Sequence, residues 1–292
     1  MRPLSEQTIL ITGATVGLGR YLAERLAAAG ARVVMHGRDA QRTAQARDEV
    51  VTATGNEKIE TVLADLSSLK EVDSLATELD LRLPRLDVLV NNAGIGAGSD
   101  AEAREESADG IELRFAVNYL AGYYLGHRLT PLITRAAPAR IVNIASAGQS
   151  AIDFDDPLLT HAYSGARAYR QSKLAQIMFT LDLADQLGDQ GVTVNAVHPA
   201  TFMDTKMVRE WGITPVSTIE EGGEATLRLI TEDRFDEVSG CYFNTTQEDR
   251  ADSQAYDPDA RRRLRILSDE LIAQALDADT ESDADTEPET DA

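Results

Sequence analysis

Apolar residues in this chain come in short unbroken runs separated by longer amphipathic stretches. Seven runs stand out: Thr8–Thr12, Ala31–His36, Ile59–Ala64, Asp87–Asn91, Arg140–Ala145, Val192–His198 and Cys241–Phe243. Near-continuous Val, Ile and Leu, with little alternation, is what a strand buried on both faces requires, and the spacing of the first six suits crossover helices. Between them the periodicity predicts helices over Arg20–Ala29, Ala40–Thr54, Leu69–Leu81, a long one around Glu112–Ala136, Ala166–Gly188, Ile219–Thr231 and a terminal one near Asp259–Leu276. The predicted fold is α/β, a doubly wound, mainly parallel sheet of about seven strands with helices on both faces, in a single domain over residues 1–276. No internal repeat of solenoid length interrupts this pattern.

Composition narrows the class. At 292 residues and 43% hydrophobic content the chain can bury one sizeable core. No run approaches the roughly 18 apolar residues of a membrane span. Met1–Gln7 lacks the apolar segment of a signal peptide, so a cytoplasmic protein is expected. The single Cys241 excludes an internal disulfide. His36, His127, His161 and His198 lack metal-ligand spacing, and no metal site is expected. A net charge of -21 repels phosphate backbones and anionic lipid heads, against nucleic acid or membrane surfaces as partners. Only Lys58, Lys70, Lys173 and Lys206 among the basic residues are lysine. The acidity reads as a solubility device or as adaptation to a salty cytoplasm, and a high-GC genome would also favour Arg over Lys; unfolding at low and multimolar KCl separates the salt reading from the others. Residues 277–292 hold acidic side chains with no basic or aromatic ones, and are expected to form a disordered, solvated tail, with an interaction tail as the alternative.

Two local patterns carry chemistry. In Tyr169-Arg170-Gln171-Ser172-Lys173 a phenol and an ammonium four residues apart project from one helix face. A phenol titrates near ~10 in water, and an adjacent ammonium favours the phenolate, moving the tyrosine toward the range where it exchanges a proton. Second, Thr8–Thr12 runs into Gly13-Ala14-Thr15-Val16-Gly17-Leu18-Gly19 and then a helix. Gly13 permits a tight turn, Gly17 lets backbone approach a pyrophosphate, and Gly19 allows close helix packing with the helix N-terminus toward the anion. Three glycines after a strand also serve a plain tight connection.

With Asp65-Leu66, Asn91-Asn92-Ala93-Gly94, Asn118, Ser146 and His198-Pro199 added, residues 6–245 resemble the short-chain dehydrogenase/reductase family. Ile152–Asp156 and Ala168–Ala175 resemble, more narrowly, its retinol-dehydrogenase-like branch. The resemblance implies a Rossmann fold and an NAD(P)-dependent oxidoreductase that interconverts a carbonyl and an alcohol. It implies cofactor contacts from Gly13, Thr15, Gly17, Leu18 and Gly19, and from Asn91, Ala93 and Gly94 against the adenosine. Asp65 would read the adenine amino group, Leu66 would flank its ring, and Pro199 with Thr201 or Thr205 would meet the nicotinamide, although Ala200 stands where relatives usually have Gly. Ser146 and Tyr169 would hold the reacting oxygen, Lys173 would hold the nicotinamide ribose and lower the Tyr169 pKa, and Asn118 would support a water near Lys173. Family members commonly pair through long helices such as those carrying Asn118 and Tyr169, which leaves a homo-oligomer open.

Cofactor choice is read at Met35-His36-Gly37-Arg38-Asp39. An acidic residue here would grip a ribose 2′-hydroxyl, whereas Arg suits a 2′-phosphate, so Arg38 favours NADP over NAD while Asp39 pulls the other way; a solvated loop arginine is the plain alternative. Plainer readings stand beside the other assignments too. Asp65, Ser67 or Ser68 could cap a helix before Leu69, Ser146 could be a turn residue, and Asn118 a helix-bonded asparagine. Tyr163 competes with Tyr169 but has no lysine four residues on. Phe202, Met203, Met207, Val208, Trp211 and Ile213, with Ile152, Phe154, Leu158 and Leu159, suggest a lid and a lipophilic substrate, or else a buried packing helix. The rival from another class is a catalytically silent NADP-sensing regulator on the same fold. No Gly-x-Ser-x-Gly elbow supports a hydrolase, and the segment after the sixth run is short for a sugar-nucleotide-binding domain.

Overall fold

The computed structural model describes residues 1–98, 100 and 102–284, with only the backbone for 278–284. Strand β1 (Thr8–Ile11) is buried along its whole length, and the chain winds away from it in one direction through α1 (Gly17–Ala28), β2 (Arg32–Gly37), α2 (Ala40–Thr54), β3 (Ile59–Leu63) and α3 (Leu69–Arg82). It then returns to the other side of β1 as β4 (Val88–Asn91) and continues outward through β5 (Ala139–Ile144), β6 (Val192–His198) and β7 (Cys241–Asn244). The sheet order is β3-β2-β1-β4-β5-β6-β7, parallel throughout, with β8 (Gln247–Asp249) added outside β7, and Leu10 faces Leu89 and Ile141 faces Val194 in register. Reversal of winding between β1 and β4 opens a crevice at the carboxyl ends of the strands. Gly13, Arg38, Asp65, Asn91, Ser146 and Pro199 each follow or end a strand on that edge.

The doubly wound fold stands as expected, with one strand more. β8 (Gln247–Asp249) folds back antiparallel on β7 through a turn in which Thr245 has φ +54. All three of its residues are exposed and polar, so no apolar run could mark it.

Apolar side chains fill both faces of the sheet. Leu22, Leu26, Val50 and Ile230 from α1, α2 and α8 (Ile219–Thr231) pack on one face. On the other, α3, α5 (Ala121–Thr134) and α6 (Gly165–Leu187) bury Leu75, Leu129, Leu174 and Met178. The expected long helix around Glu112–Ala136 is present but interrupted: a short α4 (Leu113–Phe115) passes through a π-turn (Ala116–Leu120) into α5. A short α7 (Lys206–Glu210) with Val208 buried lies between β6 and α8, within the stretch read from sequence as a lid or a packing helix. Arg140, fully buried in β5, donates to the carbonyls of Leu229 (2.9 Å) and Glu232 (2.8 Å) and to Asp236 (2.5 Å), so a cation sits where α8 ends and its carbonyls are exposed.

Helix α9 (Pro258–Ala284) closes the second face. Leu264 and Ile272 enter the core, Ser268 Oγ meets the Tyr119 hydroxyl at 2.7 Å, Tyr123 donates to Asp269 at 2.7 Å, and Arg261 and Arg265 pair with Asp182 of α6. The last residues of the acidic stretch, 285–292, lie outside the described residues.

The insertion after Ser146 corrects an expectation. Ile152 is buried in the core of the second face with Phe154 and Leu158 packed against it, and Leu159 is buried as well. Gln254 grips the Ile152 backbone from both sides, at 2.6 and 3.0 Å, and the Arg263 guanidinium covers the Phe154 ring at 4.6 Å. Ile152 and Phe154 thus fasten the C-terminal segment to the serine loop rather than stand open as a substrate wall, since burial removes their apolar surface from water.

Candidate active site

The glycine turn is built by close approach. Gly13 has φ +64, and a Cβ on Gly19 would strike the Gly13 carbonyl and come within 2.5 Å of Asn92 Nδ2. Asn92 Nδ2 donates to the carbonyls of Thr12 (2.8 Å) and Gly13 (3.1 Å), while Thr12 Oγ1 accepts from the N–H groups of Asn92 and Ala93. The turn after β4 is thereby clamped onto the turn after β1. Helix α1 starts at Gly17 with Val16 at its N-cap and no side-chain cap, so its first N–H groups point into the crevice available to an anion.

Beneath this turn lies a residue that sequence reasoning treated as incidental. His36, buried at the end of β2, accepts from the Gly13 N–H at Nδ1 (3.1 Å) and donates from Nε2 to the Ala64 carbonyl (3.0 Å). The two bonds fix the neutral tautomer, and burial holds its pKa down at about 4. Only a three-dimensional neighbour, the Gly13 backbone, reveals the role.

Arg38 is exposed beyond β2 and makes no hydrogen bond or ion pair with any described residue. Its neighbour Asp39 is occupied, accepting from the Arg42 N–H at 2.8 Å as the N-cap of α2. After β3, Asp65 Oδ1 takes the N–H and hydroxyl of Ser67, and the cap of α3 is Ser68. Leu66 is buried, and Asn91 turns inward to donate to Asn143 Oδ1 at 2.8 Å, tying β4 to β5. Thr15 lies against the position that a Cβ of Gly37 would fill, 2.7 Å from its Cγ2. Thr201 is exposed and within 3.2 Å of His198 Nε2, whereas Thr205 packs against Gly17, its Cγ2 3.6 Å from where a Cβ would stand.

At the centre, Ser146, Tyr169, Lys173 and Asn118 come together. Ser146, buried past the end of β5, accepts from the Gly148 N–H at 3.0 Å and stands beside the Tyr169 phenol, where its hydroxyl favours the ionised form. Lys173 Nζ lies 5.9 Å from the Tyr169 ring centroid and donates to the Ile144 carbonyl (2.7 Å) and Gln176 Oε1 (3.2 Å). Asn118, in the π-turn, accepts from the Ile95 N–H (2.7 Å) and donates to the Ile95 carbonyl (3.1 Å) and Ser172 Oγ (3.0 Å). Its amide therefore holds the β4 loop against α6, and the π-turn is the local rewinding at that point of the helix. Gln176 is a second missed residue; it carries no motif, and its spacing of three from Lys173 gains meaning only once the helix is known.

Electrostatics differ from the simple picture of a lysine activating a tyrosine. Burial raises the Tyr169 phenol above its ordinary value, opposed by the hydrogen bond from Ser146, and burial pulls the Lys173 ammonium down to about 7. In the protein alone desolvation sets the direction, and Tyr169 moves up rather than down as expected from sequence. A buried ammonium held down this far costs stability at every pH below its unfolded value of 10.5. Lys173→Met is accordingly expected to raise the melting temperature at pH 7 by about 3 °C or more while removing turnover. A lower melting temperature, read by calorimetry, would instead make Lys173 a structural residue.

Tyr163 does not compete. Its hydroxyl donates to Glu112 Oε1 at 2.9 Å, and burial with that carboxylate raises it far out of range. The segment after β6 is split: Val208 is buried and Met203 packs beneath α8, while Trp211 stands edge-on to Tyr169, centroids 5.0 Å apart. Among the described residues, no group of three or more His, Cys, Asp or Glu is placed to hold a metal ion, and no helix is long and apolar enough to cross a membrane.

Comparison with known proteins adds to this geometry. Residues 7–215 match the family described as short chain dehydrogenase. Retinol dehydrogenase 13 of Homo sapiens is 31% identical over 284 residues, spanning 91% of this chain and 84% of that protein. Retinol dehydrogenase 14 of Mus musculus is 33% identical over 291 residues, spanning 91% and 86%. Among solved structures, a protein of Mycobacterium paratuberculosis has a TM-score of 0.75 at 27% identity, covering 92% of this chain and 94% of that one. The RhlG/NADP active-site complex of Pseudomonas aeruginosa has a TM-score of 0.68 at 28% identity, covering 84% and 97%.

Proposed function

We propose, from the premise that the chain belongs to the short-chain dehydrogenase family and to its retinol-dehydrogenase-like branch, that it interconverts a lipophilic carbonyl compound and its alcohol with NADP as the preferred cofactor. The observation that carries the reading is the meeting of Ser146, Tyr169 and Lys173 on the same sheet edge as the glycine turn. A protein that only sensed a nucleotide would not need a phenol set beside a serine hydroxyl and a buried ammonium.

The residues present fit a dinucleotide. Gly13 and Gly19 let the turn after β1 pack tightly on Ala93 and Asn92, α1 offers uncapped N–H groups above it, and Arg38 has its guanidinium uncommitted for a 2′-phosphate. The description of the Pseudomonas aeruginosa relative as an NADP complex supports the phosphorylated form. When bound, the cofactor would supply hydride to the reacting carbon or take it away. The Ser146 hydroxyl and the Tyr169 phenol together hold the reacting oxygen in this scheme. Burial keeps the phenol protonated at neutral pH, so in reduction it donates its proton as negative charge grows on that oxygen. In oxidation the same atom receives the alcohol proton. Lys173, fixed by the Ile144 carbonyl and Gln176, stands close enough to stabilise the transient phenolate and to meet a ribose hydroxyl.

Function is tested by NADPH consumption, with NADH in parallel, against a panel of apolar aldehydes and ketones. Turnover that prefers NADPH supports the proposal; tight NADPH binding without turnover across the panel would favour the sensing reading. For the cofactor, Arg38→Glu is expected to cut kcat/KM with NADPH by about tenfold to a hundredfold and to spare NADH, since one charge-assisted pair is replaced by repulsion. An unchanged NADPH to NADH ratio would place the 2′-phosphate elsewhere.

A further inference from the structure

Trp211 is the only tryptophan in the chain, and it is not where a packing residue would be. It sits just past α7, in a loop whose neck is closed by the Met203–Ser217 bridge and by the bonds Asp204 N–H to Ser217 O (3.0 Å) and Val216 N–H to Phe202 O (3.1 Å). From this tip the indole reaches back over the site. It meets the Tyr169 ring edge to face, at 87° between the planes, and its other side lies on Gly96. A Cβ on Gly96 would come within 2.7 Å of Cε2 and 2.9 Å of Cζ2, and closer still to Nε1. Gly96 has a φ in the ordinary range, so its lack of a side chain serves the indole and not the backbone. Arg114 holds the Gly96 carbonyl at 3.0 Å from a buried position, which keeps this seat rigid.

We propose that Trp211 is the specificity wall of the site, the surface on which a planar aromatic or conjugated group next to the reacting carbon is laid. This deepens the proposed oxidoreductase reading and rests on it. Any substrate whose oxygen reaches the Tyr169 phenol must share space with the ring already packed against that phenol. A flat π-system replaces or extends the edge-to-face contact; a puckered saturated ring of the same size meets the indole with poorer contact.

Two aldehydes of matched size, benzaldehyde and cyclohexanecarbaldehyde, isolate flatness from bulk. Trp211→Ala is expected to lower kcat/KM about tenfold for benzaldehyde and less than threefold for cyclohexanecarbaldehyde, with Trp211→Phe between, and NADPH affinity unchanged. Gly96→Ala, which displaces the indole while leaving it in the chain, should reproduce the loss of selectivity and shift the emission of the single tryptophan. Equal losses on both aldehydes, or no loss, would overturn the proposal and leave the indole a lid-packing residue. Should neither aldehyde turn over, the oxidoreductase reading fails separately and emission decides: benzyl alcohol added to the NADP⁺ complex should change Trp211 emission saturably where cyclohexylmethanol does not, and indistinguishable responses would overturn the assignment.

Discussion

Tyr169→Phe is expected to lower kcat by about 10²–10⁴-fold while NADPH binds within about twofold of wild type. The substitution removes one oxygen from a half-buried ring and leaves the ring itself, so the contact with Trp211 and the helix around it persist. What is lost is the oxygen beside Ser146 that exchanges the proton in the proposed reaction. The rival phenol of Tyr163 does not replace it, because it is committed to Glu112. Steady-state rates with a saturating aldehyde give the first number and calorimetric NADPH titration the second. Residual turnover within a few-fold of wild type would reject the assignment, and a parallel collapse in NADPH affinity would recast Tyr169 as a binding group.

The second large effect is on folding in acid. His36 and His198 are both buried, and burial holds each at about 4 against an ordinary value of 6.5; nearby Lys173 adds to the lowering at His198. The unfolded chain therefore binds more protons than the folded one between those values. Stability from the two neutral imidazoles is fully present above pH 6.5 and drains away as pH falls toward 4, on the order of 3 kcal/mol for each. His36→Asn should remove one share of that slope, since an amide oxygen can still accept from the Gly13 N–H but does not titrate. At neutral pH the same variant is expected to lose about 1–3 kcal/mol through the bond to the Ala64 carbonyl. Denaturant midpoints at pH 7, 6 and 5 supply both readings, and a variant slope equal to that of wild type would show that His36 takes no part.

What could be read in advance was whatever is local in sequence. β1 with its glycine turn, the Tyr169–Lys173 spacing on α6 and the buried strands of the parallel sheet announce themselves within a dozen residues each. The π-turn did not, because a single rewound turn leaves the apolar periodicity of Glu112–Ala136 nearly unchanged while moving Asn118 onto the Ile95 backbone. Ile152 and Phe154 were legible as apolar but not as to which partners would claim them, and those partners, Gln254 and Arg263, lie about a hundred residues away. The roles of His36 and of Gly96 under Trp211 depend wholly on neighbours distant in the chain. In each case the residue type was visible and its partner was not.

The C-terminal helix has one more implication. Tyr119 and Tyr123, on the outer side of the helix that carries Asn118, and Asp182 on α6 spend their hydrogen bonds and charge on α9. A second copy seeking that same surface would have to dislodge a segment tethered to it by its own backbone, whose effective concentration no dissolved partner easily matches. The stability that this face contributes is thereby insulated from mass action: diluting the protein leaves it untouched, as it would not if another subunit supplied the cover.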